Sequence, residues 1–350
     1  MERKLASVQQ ILDIQPIEGA DKIERATING WHVVTAKENN FKIGDWVVYF
    51  EIDSWIPHEL APFLSKGKEP RVFEGVRGER LRTIKLRGQV SQGLIMPNGI
   101  VPGMVDEGQD VTELLGIKKW EKPINPQLHG VCRGNFPSFL RKTDQERVQN
   151  ILREVRESFE ADEEFEITEK IDGSSMTVYH RAYEDIEYNE PITDVGVCSR
   201  NLDLKMDQEG NAFVNKAINS GLVKALRQYN RNIAVQGELY GEGIQGNNEG
   251  IVGTEFAVFD IFDIDNYRYL TPYEREAVYF DLLNLGADIK HVPVLNKKIT
   301  LDSPYIEDIL KAAEGKNSAG NEREGIVFKS HSREFSFKAI SDIFLLGEKD

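Results

Sequence analysis

The first third of the chain alternates. ATINGWHVVTAKENN (26–40), DWVVYFEIDSWI (45–56), ERLRTIKLRG (79–88) and SQGLIMP (91–97) exchange apolar and polar positions and are bounded by Gly, Asn, Asp or Pro. A period of two predicts strands, and strands this short and close together predict a small OB-like β-barrel. Residues 116–136 hold two prolines and little periodicity and read as a linker. Residues 138–159 place Val148, Ile151, Leu152 and Val155 at helical spacing, with Thr143 or Asp144 available as N-cap. Beyond residue 163 the strand pattern returns in ITDVGVCSR, NIAVQGELYG, TEFAVFDIF, EGIVFKS and EFSFKAIS, interrupted by helical patterns at 211–230 and 272–285. This mixture predicts an α+β class built on antiparallel sheet, with domains at 1–120 and 121–350.

Composition narrows the setting. The chain has 350 residues, 40% of them hydrophobic and 29% charged, with two cysteines, Cys132 and Cys198. Two cysteines make neither a disulfide framework nor a zinc spacing. No apolar run is long enough to cross a bilayer, and the N-terminal segment lacks a secretory apolar core. The expectation is a soluble, cytoplasmic protein with no membrane partner. The net charge of −15 argues against nucleic acid if taken alone. Its distribution does not. From Lys66 to Arg87 eight basic residues, among them Lys85 and Arg87, face three acids. The run is either a solvated strand pair or a phosphate-binding surface. From Glu157 to Glu169 the sign reverses, with seven acids and no base, the pattern of a solvated face.

The candidate chemistry starts at FEITEKIDGSSMTVYH (165–180). Asp172-Gly173 between two apolar runs predicts a tight hairpin. Lys170, just before it, is either a strand-end lysine paired with Glu169 or Asp172, or a nucleophile held at the hairpin mouth. A nucleophilic lysine must lose its proton, against a free pKa of about 10.4. Downstream, Glu238 ends one strand-like run, Glu324 begins another, and Lys338 sits in an alternating third. Charged groups at separate strand ends of one sheet domain suit a nucleotide pocket, with carboxylates for metal and ribose and lysines for phosphate. Gly241–Gly246 spells G-x-G-x-x-G, but no helical period follows it, so the dinucleotide-binding reading is set aside.

In order and spacing these residues resemble the covalent nucleotidyltransferases, the ATP-dependent polynucleotide ligases and mRNA capping enzymes. Lys170-Ile171-Asp172-Gly173 resembles their nucleophile motif, with Thr168 and Glu169 leading into it. Ser199-Arg200-Asn201 resembles the next motif. Glu238 in GELYG resembles the ribose-binding acid, and Phe259 in FAVFDIF the aromatic that stacks on adenine. Glu324 in EGIV resembles the acid that organises the metal, and Lys338 a phosphate-binding lysine. The last motif departs from the family, since Ser336 and Ile340 stand where a second lysine belongs. Lys329 is the candidate substitute. Twelve residues follow Lys338, so the additional domain is expected on the N-terminal side, as in nick-sealing RNA ligases with an N-terminal OB domain.

The resemblance implies an OB-like barrel followed by a nucleotidyltransferase domain with an ATP-grasp-like antiparallel sheet. It implies ATP as substrate, Mg²⁺ or Mn²⁺ as cofactor, and RNA or an RNA-containing nicked duplex as partner, with the protein a monomer. Lys170 becomes the AMP-carrying nucleophile. Thr168, Glu169, Ile171, Arg200, Glu238, Phe259, Lys329 and Lys338 contact the nucleotide. Asp172 and Glu324 act on the metal, with Asp260 a weaker candidate. Lys85, Arg87, Lys142 and Arg147 are phosphate or RNA contacts, with Arg141 a further candidate beside them. Two other classes stay open at this point. One is a non-catalytic OB-fold protein that binds tRNA or single strands; the other is an adenylyltransferase acting on something other than a nick.

Overall fold

The computed structural model describes residues 4–103, 106–120, 132–185, 190–207 and 210–347. The chain forms two compact units. One comprises Met1–Pro123, Val148–Leu152 and Leu345–Asp350; the other comprises Ile124–Arg147 and Arg153–Phe344. Most of the expected linker, residues 121–131, lies outside the described residues.

The first unit holds β1 (Ala6–Gln10), β2 (Asp13–Pro16), β3 (Ile23–Ile28), β4 (Trp31–Ala36), β5 (Trp46–Phe50) and β6 (Ser54–Pro57). It continues with β7 (Arg71–Phe73), β8 (Val76–Arg80), β9 (Thr83–Leu86), β10 (Gln89–Gln92), β11 (Leu94–Pro97) and β12 (Lys118–Lys119). They pair as β1-β5-β11, β2-β3-β4, β12-β6-β8-β7 and β10-β9. Strand β5 shows how alternation becomes a core. Val48 and Phe50 join Leu5, Val8 and Ile56 in one apolar cluster. Val47 and Tyr49, one residue out of phase, join Ile28, Trp31 and Ile95 in another. The β9–β10 hairpin closes on Arg87 and Gly88, both at positive φ (49° and 84°), as a two-residue turn of this twist requires.

The second unit is built on two sheets. Its strands are β13 (Cys132–Asn135), β14 (Glu146–Arg147), β15 (Phe165–Lys170), β16 (Ser174–Asp185), β17 (Glu190–Ser199), β18 (Leu202–Leu204) and β19 (Ile233–Gly241). There follow β20 (Thr254–Asp263), β21 (Arg268–Tyr269), β22 (Lys290–His291), β23 (Val294–Ile299), β24 (Gly325–Ser330) and β25 (Ser336–Ile340). The larger sheet runs β13-β18-β17-β16-β19-β20-β21, with β22 on β20; the smaller runs β14-β25-β24-β15-β23. The α-helices among the described residues are α1 (Leu152–Glu160), α2 (Ala212–Asn219), α3 (Leu222–Tyr229), α4 (Pro272–Asn284), α5 (Ile306–Ala313) and α6 (Asp342–Gly347). Apolar side chains of α2, α3 and α4, including Val214, Leu222, Leu226 and Leu282, pack with Val178, Val235 and Ile261 of the larger sheet.

Three expectations are corrected here. The stretch 138–159 is helical only from Leu152; before it come strand β14 and a short 3-10 turn. Asp144 binds the Arg200 side chain instead of capping a helix. The stretch 211–230 is two helices, broken at Gly221 with φ of 73°. Asp172-Gly173 is not a hairpin turn, because β15 pairs with β23 and β24, whereas β16 pairs with β17 and β19. The dipeptide carries the chain from one sheet to the other. The glycine is demanded by close approach: a Cβ at Gly173 would stand 2.5 Å from the Leu239 carbonyl oxygen and 2.8 Å from Cγ of Glu238. The G-x-G-x-x-G segment leads through turns into β20, with no helix after it.

Candidate active site between two sheets

Strand register brings the site together on the smaller sheet. Thr168 pairs with Val327, Lys170 with Gly325, and Lys338 with Val327 from the other side. Side chains alternate along a strand, so Lys170, Thr168, Val327, Lys329 and Lys338 share one face. The opposite face is apolar: Phe165, Phe328 and Phe337 pack there, the last two stacked with ring centroids 4.6 Å apart. Lys338 is therefore no anomaly among phenylalanines; it stands on the other side of its strand.

The Lys170 amine is 2.6 Å from Oε1 of Glu324, which directly precedes β24. Glu238 reaches the same place from β19, where it pairs with Ser175. Burial pulls the Lys170 ammonium down, but Glu324, Glu238 and Asp172 together outweigh it and hold the amine above the ordinary lysine range. Burial pushes the Glu238 carboxyl up to about 8, against the pull of Lys170 and with Glu324 and Asp172 adding to the rise. This is a pocket with more carboxylates than it can easily keep charged. Glu169, on the opposite face of β15 from Lys170, is also buried. Its carboxyl is pushed up to about 7 by burial and by Glu249, and its Oε1 has no hydrogen-bond partner among the described residues.

Ile171 lies in an apolar cluster with Tyr240, Ala257 and Val292, against which Phe259 packs. Arg200 is held by both oxygens of Asp144, at 2.7 and 2.9 Å. Lys142 donates to Oδ1 of Asn201 at 2.9 Å. Phe136, Lys142, Thr143, Asp144, Ser175 and Arg200 line a shared shallow recess.

Several assignments change. Lys329 and Asp260 form a buried ion pair at 2.6 Å, with side chains 7% and 8% exposed. The Lys329 amine also donates to the Phe259 carbonyl. Burial lowers this ammonium to about 8, with Asp260 opposing. Both groups are engaged with each other and buried from solvent. Arg147 is not on a helix face. It lies on β14, buried, paired in parallel with Lys338, so it presents no surface to RNA. Arg141 is engaged by Glu334 and stands over the rings of Tyr267 and Tyr269. Lys85 and Arg87, in the first unit, are exposed. The sequence reading missed Arg275 and Glu166, a buried ion pair at 2.5 Å. Their only sequence signal was an arginine inside the helix PYEREAVYF, which reads as surface charge.

Among the described residues, no three His, Cys, Asp or Glu side chains are grouped to hold a metal ion. No helix among them is long and apolar enough to cross a membrane.

Comparison with known proteins fits this geometry. An OB-fold domain model matches residues 5–98, and an RNA ligase model matches residues 163–340. Several structures of Naegleria gruberi RNA ligase are similar along the whole chain. The form with pyrophosphate is 45% identical, with a TM-score of 0.88 and 98% of each chain covered. A mutant with ATP and Mn is 44% identical, with a TM-score of 0.87 and 99% of each chain covered. A mutant with AMP and Mn is 44% identical, with a TM-score of 0.89, covering 99% of this chain and all of that one. A comparison with curated proteins gave no match. The fold is thus an N-terminal OB-fold domain followed by an α+β ligase domain, and the chain belongs to the RNA ligase family.

Proposed function

We propose that the chain is an ATP-dependent RNA ligase that seals 3′-hydroxyl and 5′-phosphate ends, with nicks in duplexes as substrate. The observation that carries this is Lys170, at the point where the chain passes between the sheets, with Glu324 at 2.6 Å and Glu238 and Asp172 near enough to govern its proton. The solved N. gruberi ligase structures with ATP, AMP, pyrophosphate and Mn support the same chemistry. We assign the OB-fold domain to residues 1–120 and the adenylyltransferase domain to residues 121–350.

The reaction has three displacements. The Lys170 amine, once deprotonated, attacks the α-phosphorus of ATP. A P–N bond forms, the bond to the bridging oxygen breaks, and pyrophosphate leaves. An oxygen of the RNA 5′-phosphate then attacks that phosphorus and frees the amine. Last, the 3′-hydroxyl attacks the activated 5′-phosphate, loses its proton and expels AMP. Glu238 binds the ribose, Phe259 stacks on the base, and Thr168 and Ile171 line the pocket. The Glu169 backbone runs past the base, its carboxylate being turned to the other face. Lys338 and Arg200 bind phosphate, Arg200 by exchanging Asp144 for a substrate oxygen.

The donor set fits a divalent metal. Carboxylate oxygens suit Mg²⁺ and Mn²⁺, and Glu324 and Asp172 add to the rise that burial causes at Glu238, a repulsion that a cation would relieve. Asp172 and Glu324 would hold it, with waters and phosphate oxygens completing the shell. When bound, it offsets phosphate charge and lowers the lysine pKa. In the first unit, exposed Lys85 and Arg87 contact the RNA backbone, as does Lys142 in the second.

A nicked duplex with RNA or DNA on either side of the break tests the substrate. Joining of at least one of these nicked duplexes is expected. Labelling of the protein without joining of any nick would favour an adenylyltransferase with another acceptor. RNA binding with no adenylate would favour a non-catalytic binder.

A further inference from the structure

β20 does not run smoothly beside β19. Gln236 pairs with Asp260 and the next residue, Gly237, with Val258, so Phe259 has no partner and forms a bulge. A bulged residue loses its place in the ladder, and bulges re-aim side chains beside active sites. Here the carbonyl that leaves the ladder is not left bare. It accepts from the Lys329 amine, on β24 of the other sheet, and from Nη1 of Arg275, on α4, at 3.2 Å. Each cation has its own carboxylate. Lys329 pairs with Asp260 at 2.6 Å, and Arg275 with Glu166 of β15 at 2.5 Å. All four side chains are at most 9% exposed. A balanced set of two cations and two anions, buried at considerable desolvation cost, thus converges on one backbone oxygen. Two hydrophobic residues would fill that space more cheaply, but they would leave the carbonyl unpaired.

We propose that Lys329 and Arg275 are positioning residues that clamp the β20 bulge and so aim the Phe259 ring at the nucleotide base. The clamp rests on the reading of Phe259 as the base platform and adds what holds the platform in place. It also gives a role to a buried lysine on the strand face shared by Lys170 and Lys338. The clamp spans β24, β15, α4 and β20, so it fixes the separation of the sheets where the base must fit.

The test measures single-turnover adenylylation of Lys170 against ATP concentration in full-length protein. The variants are Phe259→Ala, the charge-neutral pair Lys329→Met with Asp260→Asn, and all three changes together. The pair is expected to raise the half-saturating ATP concentration about tenfold while the plateau rate changes less than about threefold. Added to Phe259→Ala, it is expected to have little further effect, since both changes remove the same platform. A fall in plateau rate without a change in half-saturation would place Lys329 on the reacting phosphates and overturn the clamp. So would a full, additive effect in the Phe259→Ala background. Phe259→Ala with unchanged half-saturation would instead overturn the base-platform reading, a failure visible without any Lys329 variant. Should the pair not fold, Lys329→Gln, which keeps a shorter neutral donor, carries the same comparison; weakened ATP binding is again expected, and wild-type binding would overturn the clamp.

Discussion

In the ligand-free protein the acids around Lys170 favour its ammonium form. Glu324, Glu238 and Asp172 outweigh the effect of burial and raise its pKa, the reverse of what attack requires. A bound divalent cation would compete for the same carboxylates and offset this rise. In the ligand-free protein, competitive acylation with an amine reagent near pH 8 is expected to label Lys170 more slowly than an exposed lysine such as Lys68. Glu324→Gln removes the strongest charge raising this pKa and is expected to speed that labelling several-fold while lowering ligation by about 100-fold or more. Labelling of Lys170 at the surface rate in the wild type would contradict the charge argument. At this scale the residues Lys170, Glu238 and Glu324 were legible from order and spacing, because strand ends carry chemistry. The partners of Lys329 were not. Alternation shows which face of a strand a lysine takes, but only the packing of a second sheet shows that Asp260 and the Phe259 carbonyl wait on that face.

Elements turn these residues into a site by connecting two sheets. The crossing at Asp172-Gly173 needs a residue without a side chain, since a Cβ there meets backbone at 2.5 Å. Gly173→Ala is expected to cost about 1–3 kcal/mol, from overpacking, and to displace Lys170, measured as lower urea stability together with lost adenylylation. A second joint ties α1 to the end of β24. Glu163 accepts from Ser158 at 2.7 Å and from Ser330 and Arg333. Burial pushes this carboxyl up, yet these donors bring it down to about 2. A carboxylate with a lowered folded pKa contributes stability above its unfolded value, near 4.3, and loses it as pH falls toward 2. Glu163→Gln is therefore expected to flatten the loss of unfolding free energy between about pH 4.5 and 2, as followed by urea titration. The hairpin misreading has a plain origin. Asp-Gly between apolar runs reports a sharp local reversal, but whether the flanking strands pair is decided by distant partners. The helix predicted over 272–285 is present at 272–284, where Thr271 and Glu274 form a reciprocal cap on a proline-initiated turn. The stretch before Leu152 was not legible, because Arg147 is drawn into a strand beside Lys338.

Over the whole molecule, an acidic chain of net charge −15 must bind a polyanion. On the proposed function, the exposed hairpin tip carrying Lys85 and Arg87 offers that binding a local basic surface. Replacing both with alanine is expected to weaken RNA binding and to reduce the slope of log affinity against log salt by about 2, while adenylylation by ATP stays unchanged. The division into a strand-rich N-terminal unit and a two-sheet unit was legible because each strand announces its buried face by alternation. The existence of two sheets in the second unit was not, because period two is the same in both. The proposed function makes Lys170 the carrier of AMP. Protein incubated with ATP labelled at the α-phosphate and with Mg²⁺ or Mn²⁺ is predicted to take up label that Lys170→Ala does not, and to release it when a nicked duplex is added. No label on the wild type, or equal label on Lys170→Ala, would contradict the account.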